Sequence, residues 1–137
     1  MDDREGTTLR QRQAPLVAQA IAECARTLAA DARFEAVWLG GSLGRGGGDA
    51  LSDIDLYIVM APGQALHGPA ERLAVARQLA KPPLGPLVLS LDNPHNAHRD
   101  GGQMNALYDA EPLPVYVDWS FQPWTPERPA DIRPLFE

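Results

Sequence analysis

Residues 37–60 read VWLGGSLGRGGGDALSDIDLYIVM, and the rest of the chain is organised around them. A short apolar run, Val37-Trp38-Leu39, leads into a glycine-rich turn from Gly40 to Gly48. Ser52-Asp53-Ile54-Asp55 and a second apolar run, Leu56 to Met60, follow. The pattern predicts a strand over 36–39, a loop leading into a short helical turn, and a second strand over 53–60. In that strand Ile54, Leu56, Ile58 and Met60 alternate with Asp53, Asp55 and Tyr57, so an apolar face backs an acidic one.

Glycines let a backbone approach a bound group closely and adopt positive φ. Successive N–H groups in such a turn make an anion-binding concavity. Ser42 adds a hydroxyl donor, and Arg45 adds a planar fork that matches phosphate oxygens. A flexible hairpin connection is the plain alternative that composition alone allows. The loop is not a Walker loop, because no Gly-Lys-Ser/Thr follows. Nor is it a dinucleotide fingerprint, because a strand rather than a long helix comes next.

Asp53 and Asp55 stand at i and i+2 of a strand and project to one face. Two like charges in one place repel unless a cation lies between them. Hard oxygen ligands suit magnesium. The alternative is that Asp53 caps a turn and Asp55 faces solvent, which an isolated Asp-x-Asp pair would favour.

The combination is more specific than its parts. Gly41-Ser42, ten intervening residues, then Asp53-Ile54-Asp55 inside an apolar strand resembles the signature of the nucleotidyltransferase superfamily related to DNA polymerase beta. The resemblance is close over 37–60 and looser over 14–121. It implies an α/β (α+β) nucleotidyltransferase fold, a small mixed β-sheet with helices packed mainly on one face. It implies metal-dependent transfer of a nucleoside monophosphate from an NTP to a hydroxyl of a small-molecule or protein acceptor, releasing pyrophosphate.

By that resemblance Asp53 and Asp55 would hold magnesium on the β- and γ-phosphates. Gly41, Ser42, Arg45 and Ser52 would contact the nucleotide. The family also carries a third carboxylate on a neighbouring strand, and Asp118, in Val115-Tyr116-Val117-Asp118-Trp119, fits. Asp92, Asp100 and Asp109 compete but lie in expected loops. A second magnesium, shared with Asp118, would help clamp the attacking and leaving oxygens. Asp118 would also take the acceptor's proton. Tyr57 and Tyr116 share the acidic face and are candidates for lining the nucleotide site.

Outward from this unit, residues 1–12 are polar and read as frayed. A helix is expected over 14–30, with Pro15 in its first turn and Val17, Ala20, Ile21, Cys24 and Leu28 forming one stripe. Cys24 lies in that stripe and reads as a small core residue. Pro69 opens a helix to about Ala80, with Leu73, Ala76, Leu79 and Ala80 available for its core face. Leu84 to Leu91 reads as a strand with Leu87, Leu89 and Leu91 on one side. Residues 92–103 read as a polar loop in which His95 and His98 are surface histidines or border the acceptor pocket. For 104–108 strand and turn both remain open. Residues 112–121 hold a strand with Val115, Val117, Trp119 and Phe121 on one face and Tyr116, Asp118 and Ser120 on the other. Trp38, Trp119 and Trp124 read as packing residues. The proline-rich stretch 123–137 reads as a linker, in keeping with a single domain (1–137, core 12–122) cut from a longer protein with a helical domain after it.

At 137 residues with 45% apolar content, the chain can bury one real core. It has no apolar run long enough for a membrane span, no signal peptide, and one cysteine, which together favour the cytoplasm. The net charge of −6, with Lys81 as the sole lysine, argues against gripping long nucleic acid. Within the superfamily the chain is most similar to small prokaryotic members. These include antibiotic nucleotidyltransferases acting on aminoglycosides or lincosamides, the resistance enzymes of the group. They also include minimal nucleotidyltransferase antitoxins that nucleotidylate a partner toxin. A non-catalytic nucleotide-binding module is the rival from another class, and it would be free to lose a carboxylate. A homodimer is left open.

Overall fold

The structure is a computed structural model that describes residues 3–46, 53–64, 68–94 and 101–137. In chain order the elements are α1 (Asp3–Ala29), β1 (Phe34–Gly40), α2 (Gly41–Gly44), β2 (Ile54–Met60), α3 (Pro69–Gln78), β3 (Leu87–Asp92), β4 (Gly102–Tyr108), β5 (Val115–Gln122) and β6 (Arg133–Phe136). The strands form one six-stranded mixed sheet in the order β3-β4-β5-β2-β1-β6. Only β2 and β5 run parallel; every other neighbouring pair is antiparallel. The class is α+β. No described helix is long and apolar enough to cross a membrane.

Alternation decides which face of the sheet the helices cover. Ile54, Leu56, Ile58 and Met60 of β2 are buried, as are Met104, Ala106 and Tyr108 of β4 and Val115, Val117, Trp119 and Phe121 of β5. All share one core with Val17, Ala20, Cys24 and Leu28 of α1 and Val75, Ala76 and Leu79 around α3. Trp119 and Phe121, two apart on β5, stack with ring centroids 6.3 Å apart. Burying each such side chain contributes about 1.5–3 kcal/mol. A second, smaller cluster of Ala36, Trp38 and Val59 lies apart from this core, joined by Tyr57 and Ile132. Burial pushes the Cys24 thiol up to about 12, so it stays protonated and inert in the core.

Several expectations are corrected. Residues 3–12 are not frayed but continue α1 toward the N-terminus, and Pro15 lies inside the helix rather than in its first turn. The reason is visible two residues before the proline. Gln13 is 2% exposed. Its Nε2 donates to the Leu113 carbonyl (3.0 Å), and its Oε1 accepts from the Leu113 N–H (3.2 Å). This two-way clamp holds the helix against the segment before β5, where the proline alone would break it.

The inner face of α3 is Arg72, Val75 and Ala76, continued by Leu79 just past its end. Leu73 and Ala80 are only partly buried against the core. A charged residue therefore stands where apolar counting placed none. Arg72 is 7% exposed and its Nη2 pairs with Asp92 Oδ1 at 2.8 Å. Gly102 makes room, since a Cβ there would meet the guanidinium at 2.5 Å.

The strand expected over 84–91 begins only at Leu87, and Leu87, Leu89 and Leu91 do not share a face. The register shifts between Leu87 and Leu89: Leu87 opposes Tyr108, whereas Leu89 opposes Leu107 and Leu91 opposes Asn105. A bulge at Val88 thus turns Leu89 and Leu91 away from the helices. They are 50% and 56% exposed. Residues 104–108 belong to a central strand, and the segment 92–103 gives up its ends to β3 and β4.

The tail is not wholly a linker. Residues 133–136 pair antiparallel with β1, and Leu135 and Phe136 pack on the main core while Ile132 packs beside Trp38. Pro134 is tolerated because β6 is an edge strand.

Candidate functional site

Strand pairing lays out the face of the sheet opposite the main core as a grid. One row crosses it at right angles to the strands: Leu91 opposes Asn105, Asn105 opposes Asp118, Asp118 opposes Asp55, and Asp55 opposes Gly40. Alternation alone puts Asp55 and Asp118 here, because their neighbours Ile54, Leu56, Val117 and Trp119 are all fully buried on the other side. The two carboxyl groups, on adjoining parallel strands, lie in hydrogen-bonding contact.

Two carboxyl groups this close make the charged form of Asp55 costly. The Asp55 carboxyl is pushed up to about 7, first by burial, then by its hydrogen bond to Asp118, then by the negative charges of Asp118 and Asp53. Arg45 pulls it the other way. Burial and the Asp118 charge also raise Asp53. Tyr116 is raised by burial and by the charges of Asp118 and Asp53. The negative potential is therefore felt across β2 and β5.

The glycine loop closes over this pair. Gly41 opens α2 with φ +62°, a conformation side chains resist. A Cβ there would stand 2.0 Å from Asp55 Oδ2. A Cβ on Gly40 would stand 2.2 Å from the Tyr57 ring. Glycine at 40 and 41 is thus what lets the loop leave β1 directly beside the Asp55 carboxylate. Ser42, half-buried, follows in the same helical turn, and Arg45 caps it with its N–H on the Gly41 carbonyl.

The expected residues therefore fall into three groups. Gly41, Asp55 and Asp118 meet, with Arg45 near enough to act on Asp55. Asp53 is exposed at the start of β2 and acts on the pair through its charge. Among the described residues no three His, Cys, Asp or Glu side chains are spaced as a metal-holding group. Ser52, His95, His98 and Asp100 lie outside the described residues. The other competitors of Asp118 drop away: Asp92 is paired with Arg72, and Asp109 is exposed beyond the end of β4.

One polar residue of this row escaped the sequence reading. Asn105 Nδ2 donates to Asp118 Oδ1, and Asn93 Nδ2 donates in turn to Asn105 Oδ1 at 3.5 Å. The signal was there in principle: Met104, Ala106 and Tyr108 alternate, which puts Asn105 on the acidic face once 102–108 is taken as a strand.

Chemically, the pair offers oxygen ligands only, crowded enough to retain a proton. A hard divalent cation such as magnesium fits that donor set, since it can replace the proton and relieve the repulsion. No protein-family model matches the chain, and no curated protein matches it.

Proposed function

We propose that the chain is a metal-dependent nucleotidyltransferase that moves a nucleoside monophosphate from an NTP to a hydroxyl acceptor. The observation that carries the reading is the contact between Asp55 and Asp118 across parallel strands, beneath a loop whose Gly41 has no room for a side chain. Like-charged groups held this close are costly to a fold, and a site is where such a cost persists. The spacing from Gly41-Ser42 to Asp53-Ile54-Asp55, similar to that of the superfamily, supplies the reaction class.

Asp55 and Asp118 would hold magnesium, with Asp53 adding charge from the strand start. Bound there, the cation would neutralise the phosphates and the developing charge on the leaving group. The protein's own residues do the remainder. The turn at Gly41 and Ser42 presents N–H groups to the triphosphate, since the first N–H groups of a helical turn lack an intrahelical acceptor. Arg45 adds positive charge beside them. Asp118 accepts the proton of the acceptor hydroxyl as its oxygen bonds to the α-phosphorus and the bond to pyrophosphate breaks.

The test is to incubate the protein with each labelled NTP, magnesium and panels of hydroxyl acceptors, and to follow pyrophosphate release. Label transfer that disappears in Asp55→Asn supports the reading. Transfer that survives in folded Asp55→Asn would remove it.

A further inference from the structure

Asp118 is not held by the backbone alone. Its Oδ1 accepts a hydrogen bond from Asn105 Nδ2, across the β4–β5 pair in which the two residues stand directly opposite. Asn105 is itself oriented. Its Oδ1 accepts from Asn93 Nδ2 at 3.5 Å, and Asn93 is fixed by its N–H on the Gln103 carbonyl at 2.8 Å. Asp118 decides which way the Asn105 amide points: reversed, its oxygen would face the carboxylate, acceptor against acceptor.

We infer that Asn105 is a positioning residue that fixes the Asp118 carboxylate toward Asp55, with Asn93 locking its amide. The inference rests on the metal-site reading above. The bond commits Oδ1 and arrests rotation of the carboxylate, which leaves Oδ2 to meet a cation beside Asp55. A neutral amide suits the task. A lysine or arginine in its place would orient Asp118 equally well but would cancel the negative charge that a cation needs. An amide also has no proton to exchange at ordinary pH, so its role is orientation rather than acid or base chemistry.

The experiment is a Mn2+ titration of the full chain followed by electron paramagnetic resonance, with Asn105→Ala, Asn105→Leu and Asp55→Asn compared with the parent. Substitutions of residues that orient metal ligands weaken affinity by roughly 10–100-fold. Both Asn105 variants are expected to show a loss of that size, with little change in the melting temperature of the metal-free protein. A residue that merely supported the sheet would lower the melting temperature and leave the Mn2+ affinity of the folded protein unchanged. Asn105→Leu keeps the branched outline of the side chain without its polar atoms, so it carries the comparison should Asn105→Ala fail to fold. Unchanged affinity in a folded Asn105 variant, with binding lost in Asp55→Asn, would overturn the positioning role and leave the metal reading standing. A parent protein that takes up no Mn2+ would remove both.

Discussion

Asp55 is held far from its ordinary acidity. Its folded-state carboxyl is raised to about 7 from an ordinary 3.8. A raised acid is stable when protonated, so its contribution is fully present below about pH 3.8 and is lost as pH climbs to about 7. The metal-free protein is therefore expected to lose thermal stability over that window. Asp55→Asn should flatten the loss and be the more stable form at pH 8, by on the order of 1 kcal/mol once solvent screening of this part-exposed group is allowed for. Melting curves in a chelator at stepped pH check this; parallel curves for the two proteins would contradict it. Gly41 is the other decisive residue. Gly41→Ala forces a side chain into a left-handed backbone at a cost of about 1–2 kcal/mol, and drives Cβ into the Asp55 carboxylate. Chemical denaturation should show the lost stability, and Mn2+ affinity should fall with it. At this scale Asp55 and Asp118 were legible, because two-residue alternation against strongly apolar neighbours fixes their side. Asn105 was not, since its strand was undecided and an amide carries no charge to draw notice.

Elements hold these residues in place through a few polar ties. Gln13 joins α1 to Leu113, and the Tyr108 hydroxyl donates to the Ala76 carbonyl at 2.7 Å, joining β4 to α3. Gln13→Ala would leave the Leu113 N–H and carbonyl unpaired and should cost about 1–3 kcal/mol in urea unfolding. A cost near zero would show that the clamp does not sustain the helix past Pro15. β6 invites a parallel test. Leu135→Ala with Phe136→Ala should loosen its hold, and β1 amides should then exchange hydrogen faster while β4 and β5 amides do not. Equal exchange throughout would deny β6 a local role. Helix and strand existence was legible from periodicity around Cys24, Ile54 and Trp119. The bulge at Val88, the burial of Arg72 and the pairing of β6 were not. Each depends on a partner distant in sequence: Leu107 and Tyr108 for the bulge, Asp92 for the arginine, and β1 for a strand whose proline count suggests a linker.

The whole molecule divides its labour between two faces. One face of the sheet buries α1 and α3 against a largely apolar core. The other lines up Leu91, Asn105, Asp118 and Asp55 in a row that ends under the glycine loop. The parallel pairing of β2 with β5 is what sets two acidic residues side by side, and the mixed sheet as a whole fixes their register. The central claim is that this pair takes a divalent cation between its carboxylates. It is tested most directly by anomalous diffraction from crystals grown with Mn2+ and a non-hydrolysable NTP. The account predicts a manganese peak bridged by carboxylate oxygens of Asp55 and Asp118, with the triphosphate against Gly41 and Ser42. Manganese and nucleotide seated elsewhere, with Asp55 and Asp118 still in direct contact, would contradict it.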